Sequence, residues 1–145
     1  MRHLDWFETE WSDRLNELFT ELNITRVLLD TRPIYDCPDD PQALSNRKKP
    51  KVPLQLKVNG DICFVRYISH PDRSYNQSYL KEWSSTVNNW LSRGKTVYFF
   101  VHCPQEVRSP DTAKYFNTLL QQQNPDILNL PWVRIDPQPT QLKLF

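Results

Sequence analysis

Three short β-rich runs, set among stretches of helical periodicity, decide what this chain can fold into. Residues 26–30 (Arg-Val-Leu-Leu-Asp) lack polar alternation, the pattern of a strand covered on both faces. Residues 62–68 and 96–101 are the other two strands, the last carrying the longest apolar run, Val97 to Val101. Around them, Trp11, Leu15, Leu18 and Leu22 recur at helical spacing, as do Leu80, Trp83, Val87 and Trp90, and then Ala113, Phe116, Leu119 and Leu120. These stripes predict helices over about 9–23, 77–93 and 109–123. Strands alternating with helices predict parallel βαβ units and an α/β fold.

Turn chemistry fills in the connections. Gly94 stands where a left-handed residue ends the second helix, and Ser109-Pro110 reads as N-cap and first position of the third. Residues 54–58 followed by Asn59-Gly60 predict a short extra strand hairpinned onto residues 62–68, because a type I′ turn needs two positive φ values. Residues 31–53 hold five prolines and room for one short helix near 42–48; loops of this length in compact domains are often functional.

Composition then excludes whole classes of function. With 2 Gly against 12 Pro, neither a dinucleotide-binding fingerprint nor a phosphate-cradling P-loop can be written. The longest apolar run is far short of the ~20 residues of a membrane span, so no membrane partner is expected. The first residues have no apolar signal region, and three cysteines without CxxC spacing suit reduced thiols, so a cytoplasmic location is expected and a zinc site from these cysteines is not. Net charge +1 conceals 10 acids and 4 bases in residues 1–46 against 7 acids and 14 bases in residues 47–145. The densest basic run, Arg47-Lys48-Lys49-Pro50-Lys51, reads as a nucleic-acid or phosphate contact or as a solvated loop; with no interleaved aromatics the solvated loop is expected, and nucleic acid is not expected as a direct ligand.

Parallel α/β sheets place chemistry at the carboxyl ends of their strands. Here those ends carry Asp30 and Arg32, then Arg66, Ser69 and His70, then His102 and Cys103; Arg2, His3 and Asp5 join them if residues 1–5 end a further strand. His102 is a candidate general base, ligand or proton relay, or a strand cap. Asp30 is a candidate metal ligand or histidine orienter, or the partner of Arg32 or Arg66. Arg66, expected inside a buried strand, is the candidate for holding an anionic group, with an Asp30 pair as the alternative. His102 and Cys103 do not form a dyad, since neighbours on an extended chain point opposite ways. His70, before Pro71, is expected at the surface. The carboxylates and histidines suffice for a divalent metal, but their spacing selects none. At the end of the chain, Gln141, Leu142, Lys143, Leu144 and Phe145 resemble the short peptide with which bacterial proteins bind the DNA polymerase sliding clamp, or pack on the protein's own surface.

Several strings together resemble the YecE-like family (domain of unknown function 72): Arg2-His3 with Trp6-Phe7, Leu29-Asp30-Thr31-Arg32-Pro33, and Lys48-Lys49-Pro50-Lys51-Val52-Pro53. Val65-Arg66-Tyr67-Ile68, Phe100-Val101-His102-Cys103-Pro104 and the final Leu144-Phe145 follow in the same order. The resemblance implies a TIM-type (β/α) barrel loosely related to sugar isomerases. Such a barrel takes ~250 residues, and 145 are present. The resemblance therefore implies the C-terminal half, about strands five to eight, with Arg2 ending the fifth, Asp30 the sixth, Arg66 and Ser69 the seventh and His102 the eighth. The family's Glu two residues before the Arg of Arg2-His3 falls before Met1. On this reading residues 1–123 are a partial barrel domain and 124–145 a Pro-rich tail. The intact barrel would act on a small anionic or sugar-like substrate, with Arg2, Arg32, Arg66 and Ser69 binding it and His102 and Asp30 as acid–base or metal-binding groups. The alternative is an adaptor that docks through its tail. Open sheet edges are expected to drive self-association.

Overall fold

The computed structural model describes residues 4–45 and 48–131. Helix α1 spans Thr9–Glu21, strand β1 Val27–Asp30, β2 Ile62–Ile68, helix α2 Gln77–Ser92, β3 Thr96–His102 and helix α3 Ser109–Gln123. The three strands form one parallel sheet in the order β1-β2-β3, with Leu29 opposite Arg66, Asp30 opposite Tyr67 and Ile68 opposite His102. The architecture is thus α/β, as the alternation of strands and helices requires.

Side-chain alternation divides the sheet into two unlike faces. Leu28, Cys63, Val65 and Tyr67 point to the side covered by Leu80, Trp83, Val87 and Trp90 of α2 and Phe116, Leu119 and Leu120 of α3. Phe99 joins this core, stacked 4.0 Å from Phe116 and edge-on 5.6 Å from Trp83. The other face holds Val27, Ile62, Tyr98 and Phe100, which remain 48%, 44%, 49% and 50% exposed. There Phe64 stacks on Phe100 at 4.7 Å and lies 6.1 Å from Tyr98, an aromatic cluster that no helix of the described residues covers. The stripe on α1 is also largely uncovered: Leu15 is buried, whereas Trp11, Leu18 and Leu22 are exposed.

Two local expectations are corrected. Residues 54–58 form no strand and the Asn59-Gly60 hairpin does not exist: Gly60 has φ +72, but Asn59 is not at positive φ. The reason is topological, since β2 is already paired on both sides by β1 and β3. The segment instead straps α1, with Gln55 accepting from Ser12 Oγ (2.8 Å) and Asn59 donating to the Asn16 carbonyl (3.0 Å). Secondly, Ser109 does not cap α3. A 3-10 turn over Glu106–Arg108 leads into the helix, and Ser109 Oγ accepts the Cys103 N–H at 3.0 Å. In the long connection residues 41–44 make a turn, residues 46 and 47 of the span with room for a short helix lie outside the described residues, and a 3-10 turn forms over Arg32–Ile34. Gly94 does take the left-handed conformation, at φ +76, and α1 ends two residues early because Asn23 adopts φ 51. Leu4–Phe7 is a 3-10 turn.

Unequal cover of the two faces has a measurable consequence. Leu80→Ala, in the two-helix core, should lower the unfolding free energy by about 2–5 kcal/mol. Phe100→Ala, on the uncovered face, should cost less than about 1 kcal/mol, because little of its surface leaves water on folding. Urea denaturation of both variants checks the contrast.

Candidate functional site

Asp30 ends β1 on the same side as Leu28, toward the helices, and is fully buried. Its carboxylate accepts four hydrogen bonds: from Arg32 N (3.0 Å), Nε (3.0 Å) and Nη2 (2.9 Å), and from Trp83 Nε1 (2.7 Å). Arg32 continues outward to Glu82 through Nη1 (2.9 Å), its guanidinium 4.7 Å from the Tyr79 ring centre. Partial burial works against the Arg32 charge, but hydrogen bonds and attraction from Asp30 and Glu82 outweigh it and hold its pKa above the ordinary value. Burial, followed by the Asp30 charge, pushes the Tyr67 phenol well up, and its hydroxyl donates to Asn76 at 3.2 Å.

Arg66 and His102 lie on the opposite face. Arg66 is opposite Leu29 and Phe100 in register, and His102 alternates with Tyr98 and Phe100. The expectation of a buried Arg66 guanidinium is corrected: the side chain is exposed on the uncovered face, and it makes no hydrogen bond or ion pair with a described residue. An Asp30–Arg66 pair does not form because the two point to different faces. His102 is half-buried, and its pKa falls below the ordinary histidine value through burial and then through the charges of Lys49 and Arg66, with Glu106 opposing. The sheet therefore brings Arg66 and His102 together with Lys49 of the basic run, and sends Asp30 and Arg32 to the helix side.

Ser69 is buried, its N–H (2.7 Å) and hydroxyl (3.2 Å) both donating to the His102 carbonyl. His70 is buried too, against the expectation of a surface role. Its Nδ1 accepts the Asp72 N–H at 2.9 Å, so the proton of the neutral ring sits on Nε2 and is donated to Asp39 at 3.1 Å. Cys37, Asp39 and His70 are the one group of metal-type donors drawn together among the described residues, their atoms within 4.8 Å of one another. In the arrangement seen, Nε2 donates to Asp39, and burial, then Asp39, holds the Cys37 thiol above its ordinary pKa, so a metal here would have to displace both protons. Arg2, Gln141, Leu142, Leu144 and Phe145 lie outside the described residues.

Beside this face is a cavity of about 350 Å³ whose wall includes Arg26, Lys49 and Arg66 and, among the described residues, no acid. Arg26 is 4% exposed, yet its partners among the described residues are neutral: Ser12 Oγ (3.0 Å), Asn16 Oδ1 (3.0 Å) and Gln55 Oε1 (2.6 Å), with the Phe7 ring centre 5.7 Å away. Sequence reasoning missed Arg26, Gln55, Trp83 and Asp39. Each acts through a partner 10 or more residues away, and only Lys49 carried a local signal, its place in the basic run.

Comparison with known proteins gives a consistent picture. The profile of the family described as "Protein of unknown function DUF72" matches residues 1–137. The "UPF0759 protein YecE" of Escherichia coli (strain K12) is 27% identical over 148 aligned positions, and that of Escherichia coli O157:H7 is 26% identical. Each alignment covers 100% of this chain and 52% of the relative, so the chain spans about half the length of the curated relatives it matches. No solved structure matches.

The buried carboxylate gives the site its sharpest test. Asp30→Ala strands the Arg32 guanidinium and the Trp83 indole N–H, and should cost about 3–5 kcal/mol in urea unfolding. Trp83→Phe removes one hydrogen bond to the same carboxylate and should cost about 1–3 kcal/mol. A loss below about 1 kcal/mol for Asp30→Ala would refute its role as a strut.

Proposed function

Because the chain belongs to the DUF72 family and spans about half of its curated relatives, we propose that it forms one half, strands five to eight, of a (β/α) barrel that binds a small anion at its strand ends. The observation that carries the anion is Arg66, a guanidinium on the uncovered face with no carboxylate partner among the described residues, beside Lys49 and His102. A cationic cluster of this kind favours an anion over an uncharged sugar, which would leave its charge unbalanced. His102, with its neutral form favoured, is the group we assign to acid–base work there. Asp30 and Arg32 are saturated by each other, Trp83 and Glu82, and we assign them to positioning the strand end. Ser69 fixes the His102 main chain.

The barrel half rests on the parallel sheet, its uncovered apolar face and the uncovered stripe of α1, which together ask for a further layer of strands and helices. Taken alone, the chain should self-associate through the free edges of β1 and β3 and this face. Sedimentation equilibrium of the full chain should show dimers or larger species that Phe100→Asp disperses; a monomer at tens of micromolar would count against the half-barrel.

Anion binding is tested with inorganic phosphate by calorimetry at low and high ionic strength. Binding should weaken with added salt and fall at least tenfold in Arg66→Gln. Bound phosphate should also raise the His102 titration midpoint followed by NMR, since a negative charge offsets the Lys49 and Arg66 charges that now lower it. Equal binding by Arg66→Gln, or an unmoved His102 midpoint, would overturn the assignment.

A further inference from the structure

The cavity beside β1 carries more information than a site for a bare anion needs. Arg26 is almost fully buried, and a guanidinium keeps its charge in proteins, yet no carboxylate is among its partners in the described residues. Ser12 Oγ donates onward to Gln55 Oε1 (2.8 Å), so this network solvates the cation without neutralising it. A buried charge left in that state is costly unless something completes it. Arg66 opens onto the same cavity, also without a partner among the described residues.

The rest of the wall is of a different kind. Phe7, Phe19, Val27 and Leu29 supply apolar surface, and a volume of about 350 Å³ sits at the small end of ligand cavities. Water alone wets such a wall poorly, while an inorganic ion would leave it uncovered. The wall is also continuous with the uncovered face, since Leu29 stands opposite Arg66 and Val27 opposite Phe64.

We propose that this cavity takes a small amphiphilic anion, a carboxylate with an alkyl or aryl body, its head on Arg66 and its body against Phe7, Phe19, Val27 and Leu29. The inference deepens the anion reading of Arg66 and rests on it. Arg26 supplies positive potential that no described acid in the wall cancels, and the apolar lining supplies discrimination by size.

Calorimetry of the full chain with acetate, butyrate, hexanoate and 3-phenylpropionate tests it, with inorganic phosphate and hexanol as controls. Affinity should rise roughly three- to fourfold for each added methylene as far as hexanoate. Hexanol should bind far more weakly than hexanoate. Leu29→Asn and Phe19→Ser, made separately and checked for folding by thermal melting, should each flatten the series; Arg66→Gln should abolish it. Phosphate binding with a flat carboxylate series would overturn this inference and leave the anion reading standing. Failure of phosphate and carboxylates alike would overturn both, and hexanol binding as tightly as hexanoate would reduce the cavity to an apolar hollow.

Discussion

Helices cover one face of a three-stranded parallel sheet, and most of what is distinctive in this chain follows from that one-sided cover. Parallel strands buried on both faces are the rule, because crossover connections bring helices to the sheet and the other face is normally closed by more protein. Here α2 and α3 close one side, while Phe64, Tyr98 and Phe100 are left to pack on each other. Such a face satisfies its backbone within the sheet, but its side chains lose little water on folding. The fold of the described residues therefore draws its stability from the Trp83–Phe99–Phe116 side, and keeps the other side available for contact.

Two buried charges show opposite solutions to the same problem. Asp30 is removed from water, and the cost is offset locally: a guanidinium two residues on, an indole N–H from α2 and a main-chain N–H saturate its oxygens. The pairing also ties the end of β1 to α2 across a long connection that contains no α-helix of its own. Arg26 is nearly as deeply placed, but among the described residues it meets hydroxyl and amide oxygens and, at 5.7 Å, the Phe7 ring, with no carboxylate. The first arrangement is closed and structural. The second leaves net positive charge beside a cavity, and charge without a counter-charge next to open volume is a condition a ligand can relieve.

Much of the fold was legible in the sequence, and the failures have a common cause. The three helices and three strands lie within a residue or two of where periodicity puts them, because the stripes Leu80–Trp83–Val87–Trp90 and Phe116–Leu119–Leu120 are set by the same core that forms. Asn59-Gly60 misled because turn chemistry is local, whereas the availability of a strand edge is global; with β2 flanked on both sides, no hairpin partner could pair. His70 before Pro71 looked like surface for the same reason. Its burial depends on Asn76, which bonds its N–H (2.9 Å) and carbonyl (2.8 Å), and on Asp39 from another loop. The ion pair of Asp30 with Arg32 was among the readings open from sequence, while its indole partner Trp83 lies 53 residues away and left no local signal.

The rule that parallel sheets collect chemistry at strand ends is correct about the end and silent about the face. Asp30, Arg66 and His102 all lie at or near the carboxyl ends of their strands, and on that ground alone they would converge. Strand parity separates them. Asp30 is in register with Tyr67, which faces the helices, whereas Leu29 pairs with Arg66, Arg66 with Phe100 and Ile68 with His102. A shift of one residue in β1 would exchange Asp30 for Leu29 on the open face and set a carboxylate beside Arg66. The register observed does the reverse: it turns the acid toward the helix layer, where it is paired, and leaves Arg66 and His102 on the open side, where Glu106 is the one described acid that acts on His102. The positive character of that side is thus a property of how β1 pairs with β2 rather than of overall composition, which is close to neutral at a net charge of +1.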